Sequence, residues 1–382
     1  MQAYLDHAAT TPMRPEAVDA MIAALRASAG NPSGVHGRAR AQRRRLDDAR
    51  DQMAVVLGCE PGEVVFTGGG TEADNLAVLG VHDRLGGTIV CSAVEHPAVL
   101  DPVVARGGRA VAVDGHGRVD VAALGSMLDD SVTLVSVMAV NNEVGVIQPI
   151  PEIVEVVRRL SPAAIVHSDA VQAVTWLPTA DLLADVDLIS VSAHKFGGPT
   201  GVGALVVRAG TPLAARVLGG GQERERRSGT QNVPGVVAMA AAAEAAMSGR
   251  SATTQRLDGL RNRLVNGLVE DIDDCVETAV TDGDRSHKIT GSAHLCVADI
   301  ESEALLFLLD QGGVAASAAS SCASGAMEPS HVLAAMGVPR EQASGSLRLS
   351  LGWSTTEAEI DQALDVVPAA VAQLRAGAPV SA

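Results

Sequence analysis

From about residue 15 to residue 270, short β-branched runs alternate with longer stretches of helical periodicity, the pattern of strands joined by crossover helices. The spacing predicts a helix over 15–29, entered at Pro15 and closed by Gly30. A second is predicted over 40–57, with Leu46, Met53 and Leu57 on one face and Gly58 as the stop. Parallel strands are predicted at Val64–Phe66, Thr88–Cys91, Val132–Met138, Ala164–His167, Leu188–Val191 and Ala204–Val207. A long helix over 253–271, with Leu257, Leu260, Leu264 and Leu268 at helical spacing, leads towards a second unit. Residues 290–382 then read as strand, helix (301–311), loop, helix, strand (346–350) and a final helix from about 355, a mixed α+β order. Between Ala315 and Met327 lie small or flexible residues around one cysteine, Cys322, and this stretch is expected to be mobile.

Composition narrows the class. The chain has 382 residues, 47% of them apolar, enough for a substantial core and, at about 150 residues per domain, for two or three domains. Its net charge of -16 disfavours binding to nucleic acid or anionic membranes. Six residues are Phe, Trp or Tyr, so the core must rest on Ala, Val, Leu and Ile, and stacking platforms for bases are scarce. The five cysteines are widely spaced without a Cys-x-x-Cys pair, which points away from a disulfide framework or a zinc site. Neither a basic, apolar N-terminal segment nor a run of roughly 20 apolar residues is present, and a cytoplasmic protein is expected.

Chemistry should gather at the carboxyl ends of the strands. Thr67-Gly-Gly-Gly-Thr-Glu72 joins a strand to a helix, where glycines let backbone N–H groups converge on an anion; an ordinary strand-to-helix turn is an equal reading. His167-Ser-Asp-Ala-Val-Gln172 and Ser190-Val-Ser-Ala-His-Lys195 end two strands expected to be neighbours. Together they would offer a carboxylate, an amide, a hydroxyl, an imidazole and a lysine beside the glycine turn, a set that suits pyridoxal phosphate. Taken singly, the aspartate could be a helix cap, the lysine a solvated charge and His194 a core histidine.

These segments resemble the cysteine desulfurases, class V members of the fold-type I pyridoxal-phosphate enzymes. The resemblance runs in order through Tyr4-Leu-Asp-His-Ala-Ala-Thr-Thr-Pro12, Gly30-Asn-Pro-Ser33, Thr67–Glu72, Glu95-His96, Asn141-Asn-Glu-Val-Gly145, Asp169–Gln172 and Ser192–Lys195. It continues through Gly219-Gly-Gly-Gln-Glu223, Arg227-Ser-Gly-Thr230, Ser321-Cys322, Glu328-Pro-Ser-His331 and Leu347-Arg-Leu-Ser-Leu-Gly352. It implies an α/β fold with a large cofactor domain over 15–255, whose mostly parallel sheet is flanked by helices. A smaller α+β domain would be built from 1–14 and 256–382, including the mobile cysteine loop 315–328.

By the same resemblance, Lys195 holds pyridoxal 5'-phosphate as an imine, Asp169 pairs with the ring nitrogen, and Gln172 contacts the ring hydroxyl. His96 stacks on the ring and transfers protons. Gly70, Thr71, Ser192 and His194 hold the phosphate, with Thr230 reaching in from the second subunit of a homodimer. Asn142 and Arg348 receive the carboxylate of L-cysteine, a task that suits a guanidinium fork. Read alone, Arg348 alternates with Leu347 and Leu349 and could face solvent, and Asn141-Asn142 could be a plain turn.

Cys322 would take the substrate sulfur as a persulfide, releasing alanine. Only its thiolate attacks, and arms of five or six residues could swing it roughly 15–20 Å between cofactor and acceptor. The long loop is similar to that of the branch feeding iron-sulfur scaffolds, so the implied acceptors are a scaffold for cluster assembly or a tRNA-thiolation protein. No metal site is expected in the chain itself, apart from Cys322 sharing a cluster with a scaffold. Selenocysteine lyase and cysteine sulfinate desulfinase use a similar residue set and remain alternatives, as does a non-catalytic sulfur carrier. Cys91 and Cys296 lie in apolar strand patterns and are read as buried hydrophobes. The arginines between Arg38 and Arg45 are read as helix surface, or as a site for an acidic partner.

Overall fold

A computed structural model describes residues 2–27, 29–318 and 330–377. Its first half alternates helices and strands: β1 (Ala3–Tyr4), α1 (Pro15–Arg26), α2 (Gly37–Leu57), β2 (Val64–Thr67), α3 (Gly70–Leu85), β3 (Thr88–Ser92), α4 (Pro97–Ala105), β4 (Arg109–Val111), α5 (Val121–Met127), β5 (Val132–Ser136) and α6 (Ile150–Leu160). There follow β6 (Ile165–Asp169), α7 (Thr179–Leu182), β7 (Leu188–Ser192), β8 (Gly203–Val207) and α8 (Val233–Asp271). The last third holds β9 (Cys275–Glu277), β10 (Ser292–Val297), α9 (Ser302–Gln311), β11 (Val314–Ala315), α10 (His331–Ala335), α11 (Arg340–Ala343), β12 (Ser346–Ser350) and α12 (Glu357–Arg375).

Local chemistry explains the boundaries that differ from expectation. Helix α1 ends at Arg26 because Ala27 is already extended. Helix α2 starts earlier than expected, since the His36 side chain accepts the Ala39 N–H and caps the first turn. It stops at Gly58, where φ is +64° and a Cβ would sit 2.7 Å from that of Ala180. Helix α8 begins at Val233, not at 253: Pro234 stands in its first turn, and the alanine-rich run that follows has high helix propensity and no stop signal.

The main sheet has seven strands in the order β2-β8-β7-β6-β5-β3-β4. Strand β8 is the exception to the expected parallel arrangement, pairing antiparallel with both β7 and β2. The connection from β7 to β8 carries only a short 3-10 turn, too little for the crossover a parallel pair requires. Strands β6 and β7 are parallel neighbours with Asp169 opposite Ser190, so the two chemistry-bearing strand ends lie side by side as expected. Apolar side chains cover both faces of the sheet: α1, α2, α6 and the start of α8 pack on one side, α3 and α4 on the other.

A second core gathers Leu257, Leu264 and Leu268 of α8 with β10, β12, α9 and α12. Its antiparallel sheet has the order β12-β10-β9, and β1 pairs with β11 beside it. Cys91 and Cys296 are buried as expected, and Cys275 is buried as well. Among the described residues no helix is long and apolar enough to cross a membrane.

Candidate active site

The carboxyl ends of β2, β3, β5, β6 and β7 converge on a cleft of about 340 Å³. Gly70, Thr71, His96, Asn142, Asp169, Gln172, Ser192, His194, Lys195 and Arg348 all line it. All but Arg348, which projects from the middle of β12, reach the cleft from a strand end or the segment after it. Gly70 and Thr71 open α3 directly after β2, with Gly69 as a cap that offers no side chain, so the positive end of the helix faces the cleft. This turn is held close to β7 and β8. Gly69 has φ of +152°, a Cβ on Gly70 would lie 2.8 Å from the Val171 methyl, and one on Gly203 would meet the Gly69 backbone at 2.7 Å.

Lys195 lies on the 3-10 turn after β7, and its Nζ donates to the carbonyls of Ala8 (2.6 Å) and Ala9 (2.8 Å). Burial, reinforced by the Arg348 charge, pushes its amine down to about 8 against the opposing pull of Asp169 and Asp6. Asp169 accepts the Val171 N–H at 2.8 Å, yet burial holds its carboxyl up at about 6. Gln172 Nε2 donates to the Ala8 carbonyl, fixing the amide at the cleft edge. Burial and the neighbouring Lys195 lower both imidazoles, with His194 near 4, so each is neutral at neutral pH. His96 Nδ1 accepts the Ala98 N–H, leaving Nε2 as the nitrogen that carries the proton.

Beneath this surface lies a polar layer of Asp74, which no motif contains, and of His167 and Glu95, which lie in quoted motifs without an assigned role. Asp74, one turn into α3, lines the cleft floor, and its Oδ1 is buried without a hydrogen-bond partner among the described residues. His167 sits 3.6 Å from that oxygen, and its ring is held between Ser136 (2.8 Å) and Ser190 (3.0 Å). Glu95 accepts from Ser92 Oγ and Met138 N–H, while burial pushes its carboxyl up to about 8. The legible signal for Asp74 was its spacing of four residues from Gly70, which places it over the same end of the helix.

Arg348 is buried, not solvent-facing, because the second core takes Leu347 and Leu349 while the opposite face of β12 turns to the cleft. Asn141 does make a turn, its Oδ1 accepting the N–H groups of Glu143 and Val144, and that turn presents Asn142 to the cleft. Thr230 is exposed and does not line this cleft. Its segment is anchored by Glu223, which takes a bidentate pair from buried Arg50 and a hydrogen bond from the Phe66 N–H. Cys322, and with it most of the predicted mobile loop, lies outside the described residues.

The residues present fit pyridoxal 5'-phosphate. An open helix N-terminus with hydroxyls at Thr71 and Ser192 suits its phosphate, a buried carboxylate suits a ring nitrogen, and a lysine of lowered basicity suits an aldehyde. Comparisons with known proteins bear on the family. The chain is 46% identical over 394 residues to an IscS-like cysteine desulfurase of Mycobacterium tuberculosis (strain ATCC 25618 / H37Rv), covering 98% of each chain. It is 42% identical over 388 residues to a cysteine desulfurase of Cereibacter sphaeroides, covering 99% of this chain and 98% of that one. Among solved structures, a NifS-like protein superposes with a TM-score of 0.90 at 34% identity, over 97% of this chain and 100% of its own. DndA from Streptomyces lividans gives a TM-score of 0.75 at 36% identity, over 91% and 99%. The expected fold-type I architecture is therefore the one observed, and the aminotransferase class-V pattern matches residues 3–363: the chain belongs to the aminotransferase class-V family.

Proposed function

We propose that this protein is a pyridoxal 5'-phosphate-dependent cysteine desulfurase that converts L-cysteine to L-alanine and carries the sulfur away on Cys322. The observation that carries this reading is the convergence of Lys195, Asp169 and His96 at the open N-terminus of α3 in one cleft. Lys195 would hold the cofactor covalently, Asp169 would pair with its ring nitrogen, and Gln172 would contact its ring hydroxyl. Gly70, Thr71, Ser192 and His194 would hold its phosphate, with Thr230 of the partner subunit completing the cradle in a homodimer. When bound, the cofactor supplies an electron-accepting ring that stabilises charge developing on the substrate carbons.

The chain's own groups do the rest. Arg348 and Asn142 orient the amino-acid carboxylate. His96, neutral and protonated on Nε2, gives and takes protons beside Lys195. The Cys322 thiolate attacks the sulfur of cysteine; a sulfur–sulfur bond forms, the carbon–sulfur bond breaks with its electron pair left on carbon, and a proton there completes alanine. Both arms of the cysteine segment start at the cleft. The backbone of Ser317 pairs with that of Arg348, and on the far side His331 Nε2 bonds the Glu95 carbonyl next to His96. Cys322 follows Ala318 by four residues, a tether of roughly 13–14 Å, which supports its reaching both the cleft and an outside acceptor. The acceptor in this reading is an iron-sulfur scaffold, with which Cys322 would share a cluster, or a tRNA-thiolation protein, and the setting is cytoplasmic.

Incubation with L-cysteine is expected to add one sulfur to the peptide containing Cys322, seen by mass spectrometry, with alanine released in parallel. Cys322→Ala should lose both while retaining bound cofactor. Undiminished alanine release by that variant would overturn the assignment in favour of a lyase that does not use the thiol.

A further inference from the structure

The Tyr4-Leu-Asp-His motif contains one acidic side chain to which the reading above gives no role. Asp6 Oδ1 accepts a hydrogen bond from Arg348 Nη2 at 2.8 Å, a pair with side-chain exposures of 22% and 6%. Arg348 Nη1 donates to the Asn142 carbonyl at 2.9 Å, while its Nε is buried and has no partner among the described residues. The guanidinium thus meets a carboxylate already, and it keeps an unused donor on its fork.

The contact is fixed by backbone register. Ser350 N–H donates to the Leu5 carbonyl and His7 N–H to that of Ser350, so Asp6 bridges β12 in parallel, two residues beyond Arg348 and on the same face. Tyr4 Oη also donates to the Asp6 carbonyl at 3.2 Å and to that of Thr10 at 2.8 Å, closing the turn. A rigid turn therefore presents the carboxylate. A guanidinium this buried needs an anion nearby, and a second carboxylate arriving at it must be accommodated beside the first like charge.

We propose that Asp6 is a resident counter-ion of the amino-acid carboxylate subsite: it neutralises Arg348 in the empty cleft and competes with the incoming α-carboxylate. Asp6 thereby sets how tightly substrate and product are held. The inference rests on Arg348 being the carboxylate receptor. Asparagine at this position keeps the shape and an oxygen acceptor for Nη2 but removes the competing charge.

The test uses the cofactor-loaded enzyme and L-alanine, the reaction product, which has no sulfur to transfer, with binding read from the perturbed cofactor absorbance. Asp6→Asn is expected to bind L-alanine about tenfold more tightly than the parent, and Asp6→Glu, which keeps the charge, to stay close to it. Arg348→Ala should bind weakly, and adding Asp6→Asn to it should change nothing. Unchanged or weaker binding by folded Asp6→Asn overturns the proposal. If Asp6→Asn does not fold, Asp6→Ser serves as the neutral variant under the same expectation. Should Arg348→Ala bind as tightly as the parent, it is the receptor assignment of Arg348 that fails, a different result from tight-binding loss in Arg348→Ala without any gain in Asp6→Asn.

Discussion

Lys195 can condense with an aldehyde only as the free amine, so its environment sets when it reacts. An ordinary lysine is less than about one part in a thousand neutral at pH 7, whereas one at about 8 is roughly a tenth neutral. Burial does most of this, and the Arg348 charge adds to it. Cofactor uptake by the cofactor-free protein should therefore quicken as pH rises towards about 8 and level off above, followed by absorbance after rapid mixing. Arg348→Met removes a positive neighbour, making the ammonium easier to keep, and should move the rise to higher pH. A rate still climbing at pH 10 in the parent would contradict this account.

At the scale of elements, the end of the cleft proposed for the cofactor phosphate depends on how closely three backbones approach. The turn between β2 and α3 lies against β8 at Gly203 and against the segment after β6 at Val171, with no room for a methyl group at either contact. The two glycines differ in what they would strike. Gly203→Ala drives Cβ into backbone that cannot rotate away, and overpacking of this kind costs about 1–3 kcal/mol. Gly70→Ala meets the end of the Val171 side chain, which has a rotamer to change. Gly203→Ala should lower the thermal midpoint of the cofactor-free protein and weaken cofactor retention; Gly70→Ala should chiefly weaken retention. Calorimetry and dialysis against buffer separate the two, and an unchanged midpoint for Gly203→Ala would count against this packing.

Across the whole molecule, burial of titratable groups gives stability a predictable pH dependence. Histidines 7, 167, 194 and 294 are pushed down to about 4, 3, 4 and 3 by burial, so the unfolded chain takes up protons that the folded one refuses as pH falls below about 6.5. Stability is lost there. Glu95 at about 8 and Asp169 at about 6 act the other way, because the folded state binds their protons first; their contribution grows as pH falls through those values. Between pH 8 and 6.5 the Glu95 contribution is gained before the histidines begin to oppose it. Above pH 8 buried Lys195 and Lys288, both near 8, add stability again because only the unfolded chain keeps their protons there. Between pH 4 and 7.5 the cofactor-free protein should thus be most stable near pH 6–6.5, with urea midpoints declining towards both ends of that range. A midpoint that rises steadily from pH 6.5 to 7.5 would show that Glu95 is more solvated than the fold implies.

Much of this protein is decided by its sequence alone. Period and punctuation suffice for the alternation of helices and strands, because a proline start, a glycine stop and runs of β-branched residues act within a few positions. The strand-end motifs name Lys195, Asp169 and the glycine turn, since chemistry at an open sheet is written beside its carboxyl edge, and the family resemblance adds His96. The rest required the fold in three dimensions. The direction of β8 follows from a connection too short to cross over. The burial of Arg348 depends on which face of β12 meets the second core, which alternation cannot choose. The layer of Asp74, His167 and Glu95, like the contact of Asp6 with Arg348, joins residues tens to hundreds of positions apart. Such pairs arise from chain crossings, and local patterning holds no record of them.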